Sequence, residues 1–215
     1  MPVTGQCLLE GAAYAQEQCG LLLNDAATLF NSGSYASVLL LAAFAREELG
    51  RSRILFDLHL AVVEKGETVT EKDVQRKCAD HVTRQGKALL SIVQRADADT
   101  AAGKLLKTVL SEKPMTQAYK EADAKLEEVG RRIAKRAPQE RHDARKKSLY
   151  VDLRDGLWNR PTKAISKDLA QTFLTDAVND YSLSLYGNPE SKRNLAFRKW
   201  ADCPEFPNPP LLQSN

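Results

Sequence analysis

Apolar residues recur at three- and four-residue steps through Leu8, Leu9, Ala12, Ala15, Cys19, Leu22, Leu23, Ala26, Leu29 and Phe30, the period of an amphipathic helix of about six turns. Asn31-Ser-Gly-Ser34 ends it, and so short a connection predicts an antiparallel neighbour. That neighbour is the stretch around which the chain is organised, from Ser37 to Val63. Apolar residues run unbroken from Val38 to Ala45 into Arg46-Glu47-Glu48, and the pattern resumes at Ile54, Leu55, Leu58 and Val62. At about 100° per residue, Arg46, Arg53 and Asp57 share one narrow sector that this pattern assigns to solvent. Glu48 falls in the opposite, buried sector with Leu41, Phe44, Leu55, His59 and Val62, and Glu47 lies on the flank. A buried carboxylate is costly unless paired or hydrogen-bonded. Glu48 is therefore either an ion pair that docks a neighbouring helix or part of a functional site.

Further along, Thr70-Glu-Lys-Asp73 is a capping-box-like start. It predicts one helix with its apolar stripe at Val74, Cys78, Val82, Leu89 and Ile92, and with His81 at the stripe's edge. Ala98 to Leu110 predicts a short helix, and Thr116 to Arg136 a longer, largely polar one. Ala137-Pro138 predicts a break, with a new helix starting at the proline and carrying Arg141, His142, Arg145, Lys146 and Lys147. Tyr150 to Pro161 has no helical period and contains Asp-Gly and Arg-Pro, which predicts an ordered extended loop whose aromatics pack down. Ser166 restarts a helix through Leu169, Phe173, Ala177 and Tyr181, stopped by Gly187-Asn-Pro189. A last short helix spans Ser191 to Trp200, before a proline-rich, irregular tail. Six or seven helices with no convincing strand predict an all-α, up-and-down bundle with additional C-terminal helices. The boundaries expected are a helical domain over 1–187, then a short helix and tail over 188–215.

Composition adds two points. Hydrophobic residues are 43% and charged residues 27% of the 215, ordinary for a globular protein. The N-terminus has no basic region leading into an apolar one, and no stretch approaches the ~18 apolar residues of a membrane span, so a cytoplasmic protein without a membrane partner is expected. Cys7, Cys19, Cys78 and Cys203 form no CxxC pair and read as reduced thiols. Charge is uneven: Arg131 to Lys147 carries eight Lys or Arg against Glu140 and Asp143, whereas the whole chain is only +3. Such a segment attracts a phosphate backbone irrespective of sequence. None of His59, His81 or His142 has a glutamate three residues before it, as inward-facing metal sites of helical bundles need; no metal or cofactor is predicted.

Three stretches together resemble a known family: Ser37 to Arg51 with its Ala-Arg-Glu-Glu-Leu-Gly-Arg ending, Asp80-His81 with Arg84, and Lys146-Lys-Ser-Leu-Tyr-Val-Asp152. They are similar to the AbiV group of bacterial abortive-infection proteins, within the HEPN superfamily, and the resemblance covers roughly Leu8 to Tyr186. It implies an HEPN-like bundle that dimerises, a role in antiphage defence, and a metal-independent endoribonuclease whose cleft forms between two copies. The family mark of that activity is an arginine followed four to six residues later by a histidine. Cleavage beside a ribose 2′-OH needs a base for its proton, a cation for the phosphate and an acid for the leaving oxygen, all of which histidine and arginine supply.

Two segments carry the spacing. In Arg76-Lys-Cys-Ala-Asp-His81 the ends would stand about 140° apart on a straight helix, so they converge only across an irregular turn or with help from a second subunit. Arg136-Ala-Pro-Gln-Glu-Arg-His142 straddles a proline. The resemblance places His81 first, with Arg76 or Arg84 on phosphate and Glu48 as the orienting acid; His142, Arg136 and Glu47 form the alternative. Arg141, Arg145, Lys146 and Lys147 are the expected RNA contacts, and Tyr150 and Asp152 belong to the family motif. A second reading keeps the fold and drops the catalysis: a dimeric helical protein that binds a phage or host protein and arrests translation indirectly.

Overall fold

The architecture follows from a computed structural model that describes residues 1–88, 108, 116–154, 156–186 and 191–212, with side chains described except at 123, 126–127, 129–137, 152 and 154. Helices α1 (Gly5–Asn31) and α2 (Tyr35–Lys65) form the expected hairpin. Thr4 caps α1 through its side chain, which accepts from the Cys7 N–H, and Gly33 turns the connection at φ 79°. Gly66 ends α2 in the left-handed region, at φ 67°, where a glycine carries no Cβ penalty. The buried faces are rich in alanine, Ala12 and Ala13 on α1 and Ala42, Ala43 and Ala45 on α2 all being buried, and small side chains let helix backbones approach closely.

The helix expected from Thr70 onward is two helices. α3 (Glu71–Ala79) opens with a full capping box, Thr70 and Asp73 satisfying each other's N–H groups. Asp80 then leaves helical geometry (ψ 118°), and its carboxylate accepts from the Thr83 N–H at 2.7 Å. It caps α4 (His81–Ala88) in turn, so an aspartate that can serve as N-cap breaks a continuous apolar stripe. The helix expected over Ala98 to Leu110, apart from Thr108, lies outside the described residues, as do Leu89 and Ile92.

α5 (Gln117–Leu149) corrects another expectation: it runs through Pro138 unbroken. Proline removes one backbone donor inside a helix and costs about 3 kcal/mol there. Pro138 is buried and faces α4, its ring 3.6 Å from where a Cβ on Gly86 would lie, and packing against α2 and α4 offsets the lost bond. The segment after α5 corrects a third. β1 (Asp152–Arg154) and β2 (Leu157–Asn159) pair antiparallel, Leu153 opposite Trp158, with Gly156 at φ 74° between them. This hairpin does not pack down: Tyr150, Leu153, Leu157 and Trp158 are exposed, Trp158 at 69%. The Asp-Gly step signals a hairpin turn, a meaning that short strands with weak alternation hid.

A one-turn α6 (Pro161–Ala164) leads into α7 (Lys167–Tyr186), and α8 (Lys192–Lys199) follows with Ser191 as its cap. The bundle is all-helical apart from the hairpin. One core joins α1, α2 and α7 through Leu23, Leu39, Leu49, Leu174 and Tyr181. A second, at the other end of the α1–α2 hairpin, gathers Leu8, Ile54, Phe56, Val69 and Phe197. The tail lies on this body: the Phe206 ring packs at a tilt against Phe197, and the Tyr181 hydroxyl donates to the Pro207 carbonyl at 2.9 Å. Among the described residues no helix is long and apolar enough to cross a membrane.

Candidate functional site

α2 is covered on several sides, by α1, α4, α5 and α7, so the charges in its middle all meet protein. Arg46, assigned to solvent from the sequence, is 1% exposed and ion-paired to the fully buried Asp180 of α7, with Asp176 at 3.8 Å. Arg141 of α5 reaches the same Asp176 at 3.3 Å. This network of two arginines and two aspartates locks α5 and α7 onto α2. It also takes Arg141 away from solvent. Asp176 and Asp180 passed unnoticed in the sequence, although two acids four apart beside an apolar helical face are a legible signal.

Glu47, the next residue, points the other way and is the hub of a second network. Its carboxylate, 3% exposed, lies 2.7 Å from His81 Nδ1, 3.2 Å from an Arg84 guanidinium nitrogen and 3.6 Å from Arg145 Nε. The sequence pattern placed Glu47 on the flank and Glu48 inside; the structure reverses them, with Glu48 17% exposed and paired to Arg51 at 3.1 Å. Burial raises the pKa of Glu48, against the pull of Arg51 and Arg84. Arg84 Nη also lies 2.7 Å from His81 Nδ1, but one nitrogen cannot both accept from Arg84 and donate to Glu47. A carboxylate is the stronger partner, so Nδ1–H is assigned to Glu47 and the other ring nitrogen, Nε2, takes no part in this contact.

The two candidate histidines, alternatives in the sequence, are neighbours here. The rings of His81 and His142 stack at 5.7 Å with 25° between planes, because α4 and α5 pack side by side. His81 is 41% exposed and His142 partly buried. His142 Nδ1 is enclosed without a hydrogen-bond partner among the described residues. Burial, then Lys146 and Arg145, push the His142 pKa below the usual imidazole range. Arg145 lies over the Phe44 ring at 5.6 Å, which fixes its fork beside Glu47, and Lys146 is exposed one helical turn from His142. Four cations, Arg51, Arg84, Arg145 and Lys146, thus surround two carboxylates and two imidazoles.

Gly50 makes the contact between α2 and α4. A Cβ there would collide with the Arg84 carbonyl oxygen, so the glycine of Glu-Glu-Leu-Gly lets the α4 backbone lie against α2 and hand Arg84 to the acids just before it. Gln85, fully buried, donates to the Ala43 carbonyl at 2.9 Å and pins the same junction.

A family model described as AbiV, of the HEPN type, matches residues 8–179. The chain belongs to the AbiV family. It is an abortive-infection protein of the HEPN type, and its histidine–carboxylate–arginine cluster lies within the matched span. No curated protein and no solved structure matches it.

Not every residue expected from the sequence joins this cluster. Arg76 is 75% exposed and paired to Asp73 within its own helix at 2.8 Å; the irregular turn at Asp80 does not bring it to His81. The side chains of Arg136 and Asp152 lie outside those described. Tyr150 caps the end of α5, exposed, and Lys147 is exposed beside it. Among the described residues no group of three or more His, Cys, Asp or Glu is placed to hold a metal ion.

Proposed function

We propose that this AbiV-family chain is an antiphage effector that cleaves RNA without a metal, using His81 and His142 as an acid–base pair. The observation that carries the reading is the pairing itself: two imidazoles from separate helices stacked at 5.7 Å, one tied to a buried carboxylate. His142, kept neutral by burial and its cationic neighbours, takes the proton of a ribose 2′-OH. The 2′ oxygen attacks the adjacent phosphorus, and the bond to the 5′ oxygen breaks. His81 gives that oxygen its proton, while Glu47 orients the ring and balances its charge, as an acid does for a catalytic histidine. Arg84 and Arg145 hold the phosphate and Lys146 and Lys147 draw in the backbone. A second copy of the chain supplies the other wall of the cleft.

The test is incubation of the purified protein with total bacterial RNA in EDTA, beside His81→Ala and His142→Ala. Either substitution should lower cleavage by about 10²–10⁴-fold, the usual worth of a general acid or base, with helicity unchanged by circular dichroism. Unchanged cleavage in both variants would remove the assignment.

The exposed hairpin supports a second reading, in which the protein binds a phage or host protein and arrests translation indirectly. Tyr150, Val151, Leu153, Leu157 and Trp158 form an apolar surface of the kind that marks contact sites.

A further inference from the structure

At the opposite side of α2 from Glu47, a cavity of about 260 Å³ opens between α2, α7 and the start of α8, lined by Arg53, Phe56, Asp57, Ser184, Ser191 and Arg193 among others. Two arginines face it from different helices. Arg53 of α2 donates to the Lys87 carbonyl at 2.7 Å, and Arg193 of α8 donates to the Ser184 carbonyl at 2.7 Å and hydroxyl at 2.6 Å. Among the described residues neither has a carboxylate within ion-pair distance. Asp57, on the wall, is held by Lys87 at 2.8 Å. Arg193 Nε is enclosed with no hydrogen-bond partner among the described residues. Burial lowers the pKa of both groups, on Arg53 against the longer-range pull of Asp180 and Asp57, and the charge of Arg53 helps bring Arg193 down to about 10.

Two largely desolvated guanidinium groups that repel each other, and whose hydrogen bonds among the described residues go to neutral oxygens, are costly to keep. Arg46 and Arg84 have carboxylates within ion-pair distance; among the described residues Arg53 and Arg193 do not. We propose that the cavity binds a phosphate-bearing small molecule, its phosphate seated between Arg53 and Arg193 as a direct ion-pair partner to both. A tetrahedral phosphate offers oxygens to two arginine forks at once, whereas a carboxylate satisfies one. The Ser191 hydroxyl and the first turn of α8 stand on the same wall, and a helix start adds favourable potential for an anion. The site is separate from the histidine pair and does not depend on how that pair is used.

Calorimetric titration of the full chain in phosphate-free buffer, with inorganic phosphate and with AMP, tests this. Binding of either in the wild type, weakened at least tenfold in Arg193→Gln and in Arg53→Gln but kept in Lys146→Gln, is the expected result. Tighter binding of AMP assigns part of the cavity to the nucleoside; equal binding assigns it to phosphate alone. Absence of heat with both ligands in the wild type overturns the proposal. So does binding that survives in Arg53→Gln, or that is lost in Lys146→Gln, which would move the anion to the histidine site. Thermal unfolding without ligand gives a separate readout: removing one of two unpaired cations leaves the melting temperature unchanged or raises it, and a large drop would mark the arginines as structural.

Discussion

His142 sits where its charged form is disfavoured, and the sign of that effect gives two measurable consequences. Its pKa in the folded chain lies below the ~6.5 of a free imidazole, by burial first and by Lys146 and Arg145 next. The ring therefore stays neutral, and able to accept a proton, to lower pH than an exposed histidine. The pH–rate profile of cleavage should rise with pH through a midpoint below ~6.5; a midpoint at or above that value would give the base role to another group. Stability follows the same sign. As pH falls below ~6.5 the unfolded chain takes up the proton first, so the contribution of a neutral His142 is fully present above that pH and is lost toward the folded pKa. Urea unfolding of His142→Gln should show a smaller loss between neutral and mildly acidic pH than the wild type.

Helix elements position these residues, and Gly50 does so most directly. Gly50→Ala would press a methyl group into the Arg84 carbonyl, and α4 would have to move away from α2, carrying His81 and Arg84 from Glu47. Overpacking of this kind costs about 1–3 kcal/mol, to be read from urea unfolding, and cleavage should fall with it. A fully active, fully stable Gly50→Ala protein would show that the close approach is not needed. Most of the elements themselves were legible: the α1–α2 hairpin, the capping box at Thr70 and the restart at Ser166 stand where sequence places them, because local signals suffice. The sides of α2 were not. A helical wheel assumes one wet face, and α2, enclosed by its neighbours, puts Arg46 against Asp180 and turns Glu47 rather than Glu48 into the hub. Pro138 misled for a similar reason, since only contact with α4 reveals why the helix continues. His81 and His142 could each be picked from spacing, but their meeting depends on how α4 lies on α5, which no local pattern encodes.

At the scale of the molecule, the two readings of function attach to different surfaces. The histidine pair lies in a setting of unbalanced positive charge, and the apolar hairpin stands at the end of α5 beyond it. Replacing Leu157 and Trp158 together with serine leaves His81, Glu47 and His142 untouched. If RNA cleavage is the effector step, this double variant should keep cleaving purified RNA; if capture of a protein partner is the effector step, it should lose protection of infected cells while the His81→Ala protein keeps it. The most direct measurement is the chemistry of the cut ends. RNA digested by the wild-type protein in EDTA should carry 2′,3′-cyclic phosphate and 5′-hydroxyl ends, since the attacking oxygen is the neighbouring 2′-OH, and neither end should form with His81→Ala or His142→Ala. Ends bearing 3′-hydroxyl and 5′-phosphate, or no cleavage by the wild-type protein, would contradict the account.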